Sequence, residues 1–190
     1  SHPNILITGW HSNEMRKSTD GGTTWNPITH PNVWLSDQTQ IIKHPSNPDL
    51  MWACGSGRVR KTTDGGTTWT EYTGTLSPAL GIGTTIAYQD GTNDLLYVGG
   101  KYGNIYYRDN TMSDWAMHRT NMPNVWVQEI EVLPLIDKMR VATWGRGVWE
   151  SPTAAPSMMP CNEPAPPSIS VQQCGSSADL TNAAAPSGYS

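Results

Sequence analysis

A chain of 190 residues, 36% of them hydrophobic and 15% charged, is the size of one domain or a little more. Its formal charge of −4 withholds the dense basic face that a nucleic-acid binder needs. No apolar run approaches the roughly 18 residues of a membrane helix. Gly, Pro and Trp are plentiful while Phe is absent, a composition of strands and turns. The expectation is an all-β fold.

Ser1 opens the chain without a basic segment followed by an apolar one, so no signal peptide is read here, and the start at Ser rather than Met is expected of a processed product or a piece of a larger gene. Along the chain, Ser18-Thr-Asp-Gly-Gly-Thr-Thr-Trp25 recurs about 44 residues later as Thr62-Thr-Asp-Gly-Gly-Thr-Thr-Trp69. Arg108-Asp-Asn-Thr-Met-Ser-Asp-Trp115 is a worn third copy that keeps the Trp. Upstream of each copy lies an apolar strand with a Gly-rich exit: Ile5–Gly9, Met51–Gly55 and Leu96–Gly100, with Met139–Thr143 opening a fourth, unfinished repeat. A second series, Pro31-Asn-Val-Trp34 and Pro123-Asn-Val-Trp126, sits two periods apart, with Pro78 in the middle place. Each repeat is expected to hold four strands. In the second they are Thr39–Lys43, Leu50–Gly55, Arg58–Thr62 and Thr68–Tyr72, joined by turns at His44–Asp49, Ser56-Gly57 and Asp64–Gly66. Four-stranded antiparallel units of this length stack radially as the blades of a β-propeller. About three and a third repeats are present, fewer than a closed ring usually has, so an incomplete ring is expected.

The pattern Ser/Thr-x-Asp-x-Gly-x-Thr-Trp resembles the Asp-box, or BNR repeat, of sialidase, xyloglucanase, sortilin-type and photosystem-assembly-factor propellers. Ser18, Asp20, Gly22, Thr24 and Trp25 match it, as do Thr62, Asp64, Gly66, Thr68 and Trp69. These residues read as structural: the carboxylate accepts amide hydrogen bonds across a tight turn, the hydroxyl adds another, and Gly takes the positive φ. Calcium loops alternate Asp or Asn and add a distal Glu, which this motif lacks.

Strand parity separates two ends. The repeated turns and His44–Asp49 share one. The other carries Trp10, His11, Ser56–Arg58, Lys101–Asn104, Trp144–Gly147 and the Trp34/Trp126 series. By resemblance to propellers with known ligands, that second end is expected to bind. Trp10, Trp34, Tyr102, Trp126, Trp144 and Arg146 are its candidate ligand contacts, because aromatic side chains stack on sugar rings or anchor peptides. The competing reading of Trp34 and Trp126 is packing between blades. Asp37 and Glu129 each follow those tryptophans by three residues and are the one candidate carboxylate pair for glycoside hydrolysis, a chemistry that needs carboxyls roughly 5–9.5 Å apart, whereas these stand two blades apart. The arginine clamp and Arg-Ile-Pro segment of sialidases are missing. The histidines show no metal-ligand spacing, and no metal or cofactor is expected. Cys54 falls in a column with Thr8, Gly99 and Ala142, as a small buried thiol would. Cys161 and Cys174 are close enough in sequence to pair in an oxidising compartment.

Composition shifts near residue 151. Residues 152–167 are Pro-rich and read as a linker between a propeller fragment at 1–151 and the opening strands of a further β-domain at 168–190. The run from Gly91 through Tyr106–Trp115, Met122–Val125 and Val141-Ala-Thr-Trp-Gly-Arg-Gly-Val-Trp-Glu150 is similar to the closing blades of Asp-box propellers in large secreted Bacteroidetes proteins. That resemblance implies export by type IX secretion, surface attachment, and a PKD or immunoglobulin-like domain after the linker. The expected function is a non-catalytic module that binds or displays a polysaccharide or an extracellular protein and packs against further blades of its parent chain. The alternatives are a fragment of a xyloglucanase- or sialidase-like glycoside hydrolase, and a structural spacer.

Overall fold

The computed structural model describes residues 4–10, 14–28, 40–76, 81, 85–91, 93–118, 122–154, 170–174 and 177–181. Trp34 and Asp37 lie outside the described residues, as do His11 and Cys161. Of Trp10 only the backbone is described.

The chain is all-β. A first sheet orders β1 (Leu6–Trp10), β2 (Glu14–Ser18) and β3 (Asn26–Pro27). A second orders β4 (Gln40–Lys43), β5 (Met51–Gly55), β6 (Arg58–Thr62) and β7 (Thr70–Glu71). The third holds β8 (Thr85–Gln89), β9 (Leu95–Gly99), β10 (Ile105–Arg108) and β11 (Ala116–His118). The fourth holds β12 (Val127–Leu133), β13 (Lys138–Thr143) and β14 (Val148–Pro152). All pairings are antiparallel, so each sheet is a blade, the first without an innermost strand and the last without an outermost one among the described residues. There the ring is not closed. The outermost strand β7 is shorter than the Thr68–Tyr72 that the sequence implies, because Trp69 precedes it and leaves the ladder to pack, as the buried Trp115 does before β11.

Alternation along the strands builds the stack. Met51, Ala53 and Trp69 face blade 1, where they meet Ile7, Met15 and Ile28. Trp52, Cys54 and Val59 face blade 3 and meet Ile86, Leu96, Val98, Tyr106 and Trp115. Tyr97, Leu95 and Ile105 face blade 4, against Val127, Ile130, Met139 and Val141. Burying a side chain such as Trp52 or Tyr97 contributes about 2–3 kcal/mol, so these three apolar seams supply most of the cohesion. Cys54 is fully buried in the second seam.

One column of the sequence alignment is corrected. The ladder pairs Met51 with Thr62 but Leu6 with Ser18, so Gly9, not Thr8, stands in the column of Cys54. The hairpin between β1 and β2 has three residues where that between β5 and β6 has two, and the extra residue slides β1 by one.

Contacts divide the chain into Ser1–Met159 and Pro160–Ser190. Thr153 and Ala154, which composition assigns to the linker, are still bonded to the blades: Thr153 N donates to Asp137 O at 2.9 Å and Ala154 N to Tyr97 Oη at 2.8 Å. In the second unit, β15 (Ser170–Cys174) and β16 (Ser177–Thr181) form an antiparallel hairpin.

Candidate ligand-binding site

The two intact repeated turns are carboxylate-centred. Asp64 accepts the amides of Thr67 and Thr68 at 2.9 and 2.8 Å and the hydroxyls of Thr68 and Thr62 at 2.6 and 2.8 Å. Gly66 N closes the loop onto Thr62 Oγ1 at 3.0 Å, with Gly65 and Gly66 both at positive φ. Asp20 repeats this with the hydroxyl and amide of Thr24 at 2.6 and 2.9 Å and with Ser18 Oγ at 2.7 Å. Desolvation works against the Asp64 carboxylate, but the donors outweigh it and hold its pKa at about 2; at Asp20 the Thr24 hydroxyl leads the same effect, again to about 2. Both carboxylates are fully engaged by their own turns, which is a folding task.

The opposite end is built by the hairpin of the last blade. Thr143 N and Oγ1 both donate to Gly147 O, at 3.1 and 2.7 Å, and pinch off a loop holding Trp144, Gly145 and Arg146. A Cβ on Gly145 or Gly147 would meet nothing within 4 Å, so their positive φ, not crowding, is what calls for glycine. Trp144 N donates to Trp126 O at 2.9 Å, which brings the connection entering β12 alongside this loop. The two indoles stand 6.5 Å apart with planes tilted by 40°. Trp126 is half-buried, Trp144 is 70% exposed, and Trp149 Nε1 bonds back to Arg146 O at 3.0 Å. An exposed indole of this size, held by a backbone bond beside a second indole in a loop that also carries the exposed Arg146, is an amphipathic platform.

Three of the expected contacts, Trp126, Trp144 and Arg146, thus come together. Tyr102, 47% exposed, lies in the corresponding hairpin of the third blade, beside Gly81 rather than in the Trp pair. Around the corner of the last sheet, Glu129, Glu131, Arg140, Ala142 and Val148 line an open groove of about 660 Å³. Glu129 is exposed and sits at a bulge in β12. Among the described residues no group of three or more His, Cys, Asp or Glu is placed to hold a metal ion.

A further cluster escaped the sequence reading. His44 Nδ1 accepts the amides of Ser46 and Asn47 at 3.2 and 3.0 Å, which leaves Nε2 as the donor to Asp94 Oδ1 at 3.1 Å. Tyr88 Oη donates to the same oxygen at 2.8 Å, and Trp52 stacks on Tyr88 at 5.7 Å. Burial first, then that hydrogen bond, push the Tyr88 phenol up. The proline after His44 marks a turn, but nothing in the sequence marks its partner in the next blade.

No family model and no curated protein matches the chain. Solved structures do. Over 72% of this chain it is similar to an ancestral GH74 enzyme, with a TM-score of 0.58 and 18% identity. Over 82% it is similar to YCF48 bound to D1 peptide, with a TM-score of 0.57 and 18% identity, and over 79% to the GH74 enzyme of Niastella koreensis, with a TM-score of 0.57 and 19% identity. The fold is that of β-propeller blades. The chain spans 20%, 50% and 27% of those three proteins respectively, so it corresponds to a part of each. No helix among the described residues is long and apolar enough to cross a membrane.

Proposed function

We propose that this chain is a non-catalytic binding module, an Asp-box propeller portion of a secreted or surface-attached protein, that takes a glycan or protein ligand on the Trp126–Trp144–Arg146 end. The observation that carries the reading is the Trp126–Trp144 pair, with Trp144 70% exposed on a hydrogen-bonded hairpin. Exposing so much indole disfavours the free protein, and covering it releases that surface. Likeness to YCF48 bound to D1 peptide supports a protein ligand, while a glycan ligand rests on the sequence resemblance and the exposed indoles. The secreted setting rests on the sequence resemblance, as does the PKD or immunoglobulin-like identity of the segment after the linker.

The test is titration of tryptophan fluorescence with xyloglucan and with extracellular peptides, for the wild type and for Trp126→Ala and Trp144→Ala. A bound ligand should lose about threefold to tenfold in affinity in Trp144→Ala, an aromatic stacking contact being worth about 0.5–1.5 kcal/mol beyond area. Equal affinity in all three proteins would discard this site. The glycosidase reading draws on one observation, the exposed Glu129 in a groove with Glu131 and Arg140. It requires aryl-glycoside hydrolysis that disappears in Glu129→Gln.

A further inference from the structure

Aspartate followed by glycine is prone to a slow rearrangement of the main chain, and the pair occurs three times, as Asp20-Gly21, Asp64-Gly65 and Asp90-Gly91. The glycine nitrogen, unhindered by a side chain, attacks the Asp side-chain carbon Cγ. A C–N bond forms, the carboxyl hydroxyl leaves with the amide proton as water, and the product is a cyclic imide, a succinimide. Water then reopens the ring. Opening at Cγ restores aspartate, whereas opening at the main-chain carbonyl leaves the chain running through Cβ and Cγ, which is isoaspartate. Nothing is oxidised or reduced. Closure needs a protonated carboxyl to supply the leaving hydroxyl, a glycine nitrogen free to attack, and room for the two to meet.

The two repeated turns deny all three. Each carboxylate is turned across its loop: Asp64 Oδ1 accepts Thr67 N and Thr68 N while Oδ2 accepts Thr68 Oγ1, and Asp20 is held by Thr24 N and Thr24 Oγ1. With both pKa values held at about 2, the protonated form is scarce at neutral pH. The attacking nitrogens are committed as well, Gly21 N to Asn4 O and Gly65 N to Asp49 O, each at 3.0 Å. Both glycines are fixed at positive φ, 72° and 67°.

Asp90-Gly91, in the turn between β8 and β9, has none of these restraints, and both residues are exposed. Among the described residues no amide donates to the Asp90 carboxylate, and the Tyr88 phenol beside it spends its proton on Asp94 Oδ1 at 2.8 Å. Gly91 N likewise donates to no acceptor among the described residues. Its φ is not positive, and a Cβ added there would meet nothing within 4 Å.

We propose that Asp90 is a modification site at which the folded protein converts to isoaspartate through a succinimide with Gly91, while the turns around Asp20 and Asp64 hold those residues unreacted. The change reaches the neighbouring blade. Isoaspartate lengthens the main chain by one carbon inside the loop closed by the Gln89–Leu95 pair, and that loop presents Asp94 Oδ1 to His44 Nε2 at 3.1 Å. The modification therefore acts on a bond joining blades 2 and 3. It also frees a main-chain carboxylate, the group that an isoaspartyl methyltransferase esterifies with S-adenosylmethionine. The proposal stands apart from the Trp126–Trp144 site and does not depend on it.

The test is to age the full 190-residue chain in neutral buffer, folded and in parallel in guanidinium chloride. After removal of denaturant, isoaspartate is counted by enzymatic methylation and placed by peptide mapping with electron-transfer fragmentation, which distinguishes it from aspartate. In the folded protein residue 90 should convert on the order of tenfold or more faster than residues 20 and 64, whose turns must first break hydrogen bonds to a charged acceptor. In denaturant the three should convert at similar rates. Gly91→Ala fits the open space, so it should leave the unfolding midpoint in place while lowering conversion at residue 90 severalfold. Three results would overturn the proposal: no isoaspartate at residue 90 in the folded protein, equal conversion of the three sites there, or the same preference for residue 90 in denaturant, which would assign it to sequence alone. A signal at residue 90 untouched by Gly91→Ala would overturn the succinimide route. The nitrogen resonance of His44 Nε2 should shift in step with conversion, and a constant resonance would cut the link to blade 2.

Discussion

The turn at Thr62–Trp69 and its degenerate counterpart at Arg108–Trp115 reach the same end by different chemistry. In the first, one carboxylate, Asp64, gathers two amides and two hydroxyls, and two glycines at positive φ let the chain curl around it. In the second, Thr111 and Met112 stand where Gly65 and Gly66 were, neither at positive φ, and the task is divided. Asp109 accepts Thr111 N, Thr111 Oγ1 and Met112 N at 2.8, 2.7 and 3.0 Å. Arg108 Nη2 donates to Ser113 O at 2.9 Å while its guanidinium lies 4.0 Å over the Tyr72 ring. Asp114 caps Trp115 N at 2.8 Å and reaches Thr75 N in the preceding blade at 3.2 Å. What is preserved is the buried Trp at the end, 5% exposed in one and 8% in the other. The turn exists to deliver an indole to a seam between blades, and the carboxylate is one way to do it.

That comparison breaks most sharply at Gly66. A Cβ there would lie 2.6 Å from Ile7 Cδ1 on a backbone with φ of +85°, so Gly66→Ala should cost about 2–4 kcal/mol in denaturant unfolding. Met112→Gly, the reverse change in the other turn, should stay within about 1 kcal/mol. Asp64→Ala comes next, at about 1–2 kcal/mol, because it strands two amides that solvent only partly recovers. The pH dependence follows. With its folded pKa held near 2 and an unfolded value of 3.8, Asp64 contributes stability that is present above about pH 4 and lost as pH falls toward 2. Asp64→Asn should flatten the acid limb of the stability curve; an unchanged limb would remove Asp64 from the account. The smallest effect is at Asp109→Asn. It keeps one acceptor oxygen in a turn that shares its bonds with Arg108 and Asp114, and thermal unfolding should register about 0.5–1 kcal/mol.

Much of this was legible because the two intact repeats are nearly identical, which fixes β2, β5 and β6 by register alone. The slip at Thr8 arose where two signals disagree: the repeated turn and the Gly-rich exit cannot both align across hairpins of two and three residues. Parity put Trp126 and Trp144 at one end, although only the Trp144–Trp126 backbone bond makes them neighbours. The His44–Asp94–Tyr88 network was invisible for a physical reason. It joins turns 50 residues apart on adjacent blades, and neither turn carries a pattern that announces the other.

The bonds from Thr153 and Ala154 have a mechanical meaning. A chain that hangs from its Pro-rich C-terminal side transmits any pull first to Asp137 O and Tyr97 Oη, the latter belonging to a fully buried ring that also donates to Gln89 at 2.9 Å. Tension enters across the seam between blades 3 and 4 through Ala154, while the Thr153–Asp137 bond is the end rung of the β13–β14 ladder and must part before β14 peels from its neighbour. The exit of the chain is a cleat as much as a connection, and a tethered module would hold its shape under drag until those two bonds part.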